Sequence, residues 1–510
     1  MGGVGAAYAA MLGLDLAPAV SARAAPGLPA GAGVKVAILG AGIAGLVLAY
    51  ELERAGYQVV VLEARTRVGG RNWSIRGGDR VVLNGETDQV AGFSDGLYFN
   101  AGPARIPSHH QGLLAYIKQL GVPLEVEVNS SRSALLQSPG AFDGRPIQQR
   151  QAINDVRGGV AELLAKATRR GALDQDLTAD DKERLLTFLK TYGDLNPDFG
   201  FTGTERSGYL TPPGAFDQVA KRRDPLSLSA LLKDEVLPLS LYEENILMQA
   251  TMFQPVGGMD RIPAAFARAI RSPIRLGAEV RRIRQTATGA EVSYVDRSTG
   301  AAAAVSADYL IVTIPLPVLA KIETDFSRPV KQAISAAVYD HSAKVAFESP
   351  RFWEAEQIYG GLSFVGGETT LVWYPSGGFQ GARGVLVGAY SAGAPAKGFE
   401  ARTLAEQVAL ARGAVERLHP GHGGDLSAPL VVDWNKVPFN LGPWIHWEGD
   451  GNDQAAYRLL NQPDGRVYFS GAHLSQLPSW QEGAVLAAHR TITELGRRVQ
   501  ADRLVQPAHG

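Results

Sequence analysis

Val34–Arg71 reads VKVAILGAGIAGLVLAYELERAGYQVVVLEARTRVGGR, and the order of residue types in it decides the fold. The apolar run Val34–Leu39 predicts a buried parallel strand. Gly40-Ala41-Gly42-Ile43-Ala44-Gly45 then sets glycines in the spacing G-x-G-x-x-G. Gly40 permits a tight turn, Gly42 lets backbone approach a pyrophosphate, and Gly45 lets the following helix pack closely on the strand. That helix is expected from about Ile43 to Ala55, and its N-terminus offers unpaired N–H groups and a partial positive charge to phosphates. A second apolar run, Val59–Leu62, ends in Glu63, placed to accept hydrogen bonds from a ribose diol. The pattern predicts a dinucleotide site, with NAD and FAD both open at this point. Arg65, Arg67 and Gly69-Gly70-Arg71 follow, a flexible loop whose guanidinium groups can neutralise a pyrophosphate.

The segment Glu63-Ala64-Arg65…Arg67-Val68-Gly69-Gly70-Arg71 resembles the FAD signature of the flavin amine oxidases, a family that includes monoamine, polyamine and L-amino-acid oxidases. Further stretches are similar to that family in the same order. They are GPARIP at 102–107, QPVGGMDRIP at 254–263, the strand carrying Lys344, WYP at 373–375 and SGAHLSQLPSWQEGA at 470–484. The resemblance implies non-covalent FAD held by Gly40, Gly42, Ala44, Gly45, Glu63, Ala64, Arg65, Gly70 and Arg71 in the first stretch. It adds Gly102, Pro103, Ala104 and Arg105, then Val280 and Trp434, and finally Gly471, Ala472, Gln481 and Ala484. Two positions depart from the family pattern. Ala472 stands where Glu or Asp usually binds the ribityl chain, and Ser479 stands where glycine usually precedes the tryptophan. The lost carboxylate removes one flavin hydrogen bond, worth about 1–2 kcal/mol.

For substrate, Arg105 in Gly-Pro-Ala-Arg-Ile-Pro is the informative residue. It resembles the arginine with which L-amino-acid oxidases pair the substrate α-carboxylate, and a planar, permanently charged fork suits that bidentate task. By the same resemblance Tyr374 adds a second hydrogen bond to the carboxylate, Lys344 reaches flavin N5 through a water, and Trp480 walls the substrate, with Ser479 and Phe253 alongside. Lys344 also opens an apolar strand, where a charge needs a partner. The implied activity is oxidation of L-amino acids, large apolar or aromatic ones by the lean of Phe253, Trp373 and Trp480, to 2-oxo acids, ammonia and H2O2. An amine or polyamine oxidase without carboxylate recognition, a monooxygenase of the tryptophan type and a non-catalytic nucleotide-binding scaffold are the alternatives.

Composition bounds the rest. At 510 residues the chain exceeds one ordinary domain, and a formal charge of −1 gives no electrostatic case for nucleic acid or an anionic membrane. The absence of cysteine excludes disulfides, thiolate metal sites and a cysteine-linked flavin. The histidines show no ligand spacing, and no metal is expected. The expected architecture is α/β: a discontinuous Rossmann-type FAD-binding domain (34–105, 251–320, 460–500), a mixed-sheet substrate domain (106–144, 321–459) and a helical insertion (145–250). Residues 1–33, small and apolar with Ala22-Arg23-Ala24, read as an N-terminal arm or the remnant of an export signal. That leaves a periplasmic, secreted or cytoplasmic location open. No apolar run reaches the ~18 residues of a membrane span, which reads as soluble. The expected partners are a small amino acid and O2, with a homodimer as the family expectation.

Overall fold

The computed structural model describes residues 28, 30, 31, 33–447 and 451–505. The expectations for residues 1–27 therefore lie outside the described residues.

The two apolar runs flanking the glycine turn become adjacent parallel strands. Lys35–Leu39 pairs with Gln58–Glu63 on one side and with Tyr309–Val312 on the other, both in parallel. The full sheet runs Ile274–Leu276, Gln58–Glu63, Lys35–Leu39, Tyr309–Val312, Val467–Phe469. Its central strands are apolar at successive positions because both faces are covered. Helix Ile43–Arg54 and the C-terminal helix Gln481–Val505 pack together on one face. Val47, Leu48 and Leu52 of the first meet Val485, Ala488 and Ile492 of the second in one buried cluster. The sheet is thus assembled from strands far apart in the chain, and the glycine turn lies at its centre.

A second, seven-stranded sheet follows the order Ser427–Asp433, Ser342–Pro350, Arg383–Ala392, Leu371–Tyr374, Gly361–Val365, Leu135–Gln137, Ile147–Gln148. Every residue from Ser342 to Ser349 is buried, which accounts for the apolar composition of that strand around Lys344. A four-stranded sheet built on the meander Ala278–Gln285, Ala290–Asp296 and Ala302–Ala307 packs beside the first.

Between 145 and 250 the chain forms two packed helices, Gln149–Arg169 and Ala179–Gly193. The second begins at a capping box in which Thr178 and Asp181 satisfy each other's backbone N–H groups. Beyond it, short 3-10 turns, the one-turn helix Leu228–Leu231 and the small hairpin Tyr209–Thr211/Lys221–Arg222 fill the segment. A helix, Arg261–Ala269, begins inside the QPVGGMDRIP stretch. Pro263 falls in its first turn, where a missing N–H costs nothing.

Candidate active site

A cavity of about 500 Å³ opens at the carboxyl ends of the parallel strands and runs to the second sheet. Its phosphate end is the glycine turn. Gly40 adopts φ +109°, and a Cβ on Gly45 would stand 2.0 Å from the Gly40 carbonyl oxygen, so helix and turn touch as the motif demands. A Cβ on Gly42 would meet nothing within 4 Å, because that position faces the cavity. The helix has no side-chain cap and no acid in its first turn, which leaves its N–H groups facing open space. Glu63 reaches back to the turn: its carboxylate accepts from Ala41 N at 2.8 Å and from Arg65 N at 3.0 Å while remaining on the cavity wall. Arg65 and Arg71 are tied to the 438–443 segment by donating to the carbonyls of Pro438 and Pro443, at 2.6 Å each.

The other expected cofactor positions Ala44, Ala64, Gly70, Gly102, Pro103 and Val280 lie on the same wall. Trp434, Gly471, Ala472, Gln481 and Ala484 complete it. Gln481 keeps a buried Oε1 without a partner on that wall, and Trp434 is fixed by its indole N–H on the Ala101 carbonyl at 3.0 Å. Gly45 stays behind the turn, and Ala104 faces a different cavity. A flavin dinucleotide fits this donor set: bare helix N–H groups at the phosphate end, an acid at the second strand's end, and an unsatisfied amide oxygen near Trp480.

At the opposite end Lys344 is 3% exposed. Its ammonium donates to the carbonyls of Gly102 (2.5 Å) and Asn100 (3.2 Å), which pins the 100–103 loop. Burial, assisted by the positive charge of Arg105, lowers its pKa to about 7. The aromatic rings beneath it are Tyr390, 4.8 Å from ring centroid to Nζ, and Trp373, 5.4 Å. Tyr390 sits directly opposite Lys344 in the strand pairing and lines the cavity. Trp480 and Ser479 line it from the C-terminal side, with the Trp480 ring edge-on to buried His110 at 5.0 Å.

Arg105 lies just behind this wall. It is 7% exposed, its guanidinium carbon 4.6 Å over the Trp373 ring, and it donates to Tyr242 Oη at 2.6 Å and to Asn129 Oδ1. It is absent from the lining of the 500 Å³ cavity. Beyond it is a second cavity of about 350 Å³, which also reaches Lys344 and is lined by Glu127, Trp373 and Ala104.

Two residues expected at the substrate end are held in other packing environments. Tyr374 borders the second cavity, but its hydroxyl is directed away from Arg105 and Lys344. Consecutive strand residues point to opposite faces, so when Trp373 turns to Arg105, Tyr374 turns to the core beneath the sheet. There its hydroxyl is hydrogen-bonded to His419 Nε2 at 2.6 Å and to Ser363 Oγ at 2.8 Å. Phe253 likewise contributes to core packing, and its backbone pairs with Ile106. Tyr390 is a tyrosine of the cavity wall that no sequence motif marks. Its signal was register, since only strand pairing reveals that it stands opposite Lys344.

A nucleotide cradle that ends at a buried lysine and an aromatic wall defines an oxidoreductase built on a Rossmann-type α/β fold. Residues 43–494 match the family described as flavin containing amine oxidoreductase, and the chain belongs to that family. Its cofactor is therefore a flavin. The flavin-dependent L-tryptophan oxidase RebO of Lentzea aerocolonigenes is 29% identical, with 90% of this chain and 98% of that protein covered. An L-amino-acid oxidase of Siganus canaliculatus is 25% identical over 91% of this chain and 85% of its own length. Among solved structures, putrescine oxidase bound to putrescine superposes with a TM-score of 0.61 at 19% identity, covering 91% of this chain and 98% of that one. At that identity the likeness is one of fold. Among the described residues, no helix is long and apolar enough to cross a membrane.

Proposed function

We propose that this flavoenzyme binds FAD non-covalently and oxidises L-amino acids to 2-oxo acids. The observation that carries the reading is Arg105, a buried, permanently charged fork stacked on Trp373 next to Lys344. An oxidase of simple amines has no use for such a cation, which costs desolvation energy to bury. Arg105 would take the α-carboxylate in bidentate fashion, with Tyr390 rather than Tyr374 as the neighbouring hydroxyl. Trp480 and Tyr390 would flank the substrate, and the clamp at one end would orient its Cα–H toward the flavin site. When bound, FAD supplies the two-electron acceptor for oxidation of the Cα–N bond and returns the electrons to O2 as H2O2. Lys344, with its pKa near 7, can hold or release a proton at Nζ close to the reacting centre. Water then hydrolyses the released imino acid to the 2-oxo acid and ammonia. Relatives named L-amino-acid oxidase and L-tryptophan oxidase support the same reading.

A specific observation favours a second reading, an amine oxidase without carboxylate recognition: both ends of the Arg105 fork are already engaged, by Asn129 and Tyr242. Steady-state kinetics of Arg105→Ala separate the two. The carboxylate reading predicts that kcat/KM for L-amino acids falls by about 100-fold or more, the loss of a charged, buried hydrogen-bonded pair at roughly 3 kcal/mol. Unchanged L-amino-acid turnover, or better turnover of the decarboxylated amines by the wild type, would contradict it.

A further inference from the structure

Arg105 has a buried acidic neighbour that none of the roles above uses. Glu127 is 1% exposed, and its Oε1 accepts from the Trp373 indole N–H at 3.1 Å. Its Oε2 has no hydrogen-bond partner, and the residue lines the 350 Å³ cavity. Trp373 is thus a hub, with the Arg105 guanidinium 4.6 Å over its ring, Lys344 Nζ 5.4 Å from its centroid, and the Glu127 carboxylate on its N–H. Asn129, on the same stretch of chain, holds the guanidinium by its Oδ1 and leaves its own buried Nδ2 unpaired. The arrangement is a parked cation and a buried acid that share one indole without a direct ion pair.

A second carboxylate changes that balance. One guanidinium among buried rings does not readily keep two adjacent carboxylates ionised, because above about pH 7 Lys344 is neutral and offers the second negative charge no cation. We propose that a substrate carboxylate replaces Glu127 as the counter-charge of Arg105, and that Glu127 takes up one proton as the carboxylate binds. The inference rests on the reading that Arg105 receives the substrate carboxylate. The incoming carboxylate adds one negative charge and the proton on Glu127 removes one, so the charge of the buried cluster is unchanged. The proton has a route, since the second cavity runs from exposed Gly96 and Gly378 inward to Glu127.

The groups facing Glu127 set the pH range. Arg105 favours its ionised form; Lys344, Tyr242 and Tyr390 complete the cluster on the side of Arg105. Glu125, two residues along the same strand, accepts from Gln254, and across the cavity Arg351 and Arg383 are paired with Glu354 and Glu348. Burial outweighs the pull of Arg105 and holds Glu127 up at about 7. Below that pH Glu127 is already neutral; above it, binding must bring the proton. Lys344 titrates in the same range and would also favour an anion when protonated, so the two residues must be separated experimentally.

Isothermal titration of the holoenzyme with benzoate, in two buffers of different ionisation enthalpy, counts the protons. About one proton should be taken up per benzoate at pH 8 and close to none at pH 6, with affinity weakening by up to about tenfold per pH unit above 7. Glu127→Gln should abolish the uptake and flatten the affinity profile, whereas Lys344→Met should retain both. Benzoate bound at pH 8 without proton uptake, uptake retained in Glu127→Gln, or uptake lost in Lys344→Met would each overturn the proposal. Arg105→Ala reports on the underlying reading. If it binds benzoate as the wild type does, or if no form binds benzoate, the carboxylate clamp itself is wrong and the inference falls with it. If Arg105→Ala alone loses benzoate while the wild type binds it without a proton, only the role of Glu127 fails.

Discussion

Lys344 is a cation in surroundings that disfavour charge, and that has a measurable cost. Its folded pKa lies near 7 against 10.5 for the free side chain, so between those values the unfolded chain binds more protons than the folded one. Folding stability from this residue therefore rises with pH through that window and is lowest below about pH 7. Lys344→Met removes the penalty. Thermal melts at matched flavin content should show the variant gaining most over the wild type below pH 7, with the gain shrinking toward pH 10.5. A gain independent of pH would mean the lysine is charged and well paired in the folded protein. The two tyrosines give a second prediction at this scale. Tyr374→Phe removes hydrogen bonds to His419 and Ser363, and should cost about 1–2 kcal/mol of stability while leaving kcat/KM within twofold. Tyr390→Phe, on the cavity wall, should do the reverse: little change in melting temperature and a several-fold loss in kcat/KM. Equal catalytic losses in both would contradict the assignment of faces.

At the scale of the element, the glycine turn carries the strongest constraint. A Cβ on Gly45 would lie 2.0 Å from the Gly40 carbonyl oxygen, in a contact made by backbone that cannot yield cheaply. Gly45→Ala should destabilise by about 1–3 kcal/mol and lower the flavin retained on purification, read from the ratio of visible to ultraviolet absorbance. Normal flavin content and melting temperature would show that helix and turn can separate without harm. This element was legible in the sequence because strand, turn, helix and terminal acid are contiguous, and each residue type has a single local reason to be there. The wall opposite was not. Tyr390 is opposed to Lys344 by strand pairing across 46 residues, and nothing local marks it. The direction of Tyr374 was hidden for the same reason: a Trp-Tyr pair on one strand must point to opposite faces, and only the structure shows that Trp373 takes the side of Arg105.

At the scale of the whole molecule, strands brought together from distant parts of the chain build one flavin-binding sheet, and the seven-stranded sheet sets Lys344 and Tyr390 against its cavity. A local reading can name such pieces, but the meeting of Arg105, Glu127, Trp373 and Lys344 depends on loop, strand and sheet contributions from four separate parts of the sequence. On the proposed reading, that meeting of a cation and a buried acid behind an aromatic wall is what equips the site for a substrate that carries a carboxylate. The most direct test is anaerobic reduction of the purified yellow protein by a panel of L-amino acids, D-amino acids and the corresponding decarboxylated amines, followed by bleaching of the flavin band. The account predicts rapid bleaching by L-amino acids, fastest with large apolar or aromatic side chains, and little by D-amino acids or amines. Bleaching by the amines with L-amino acids inert would contradict it.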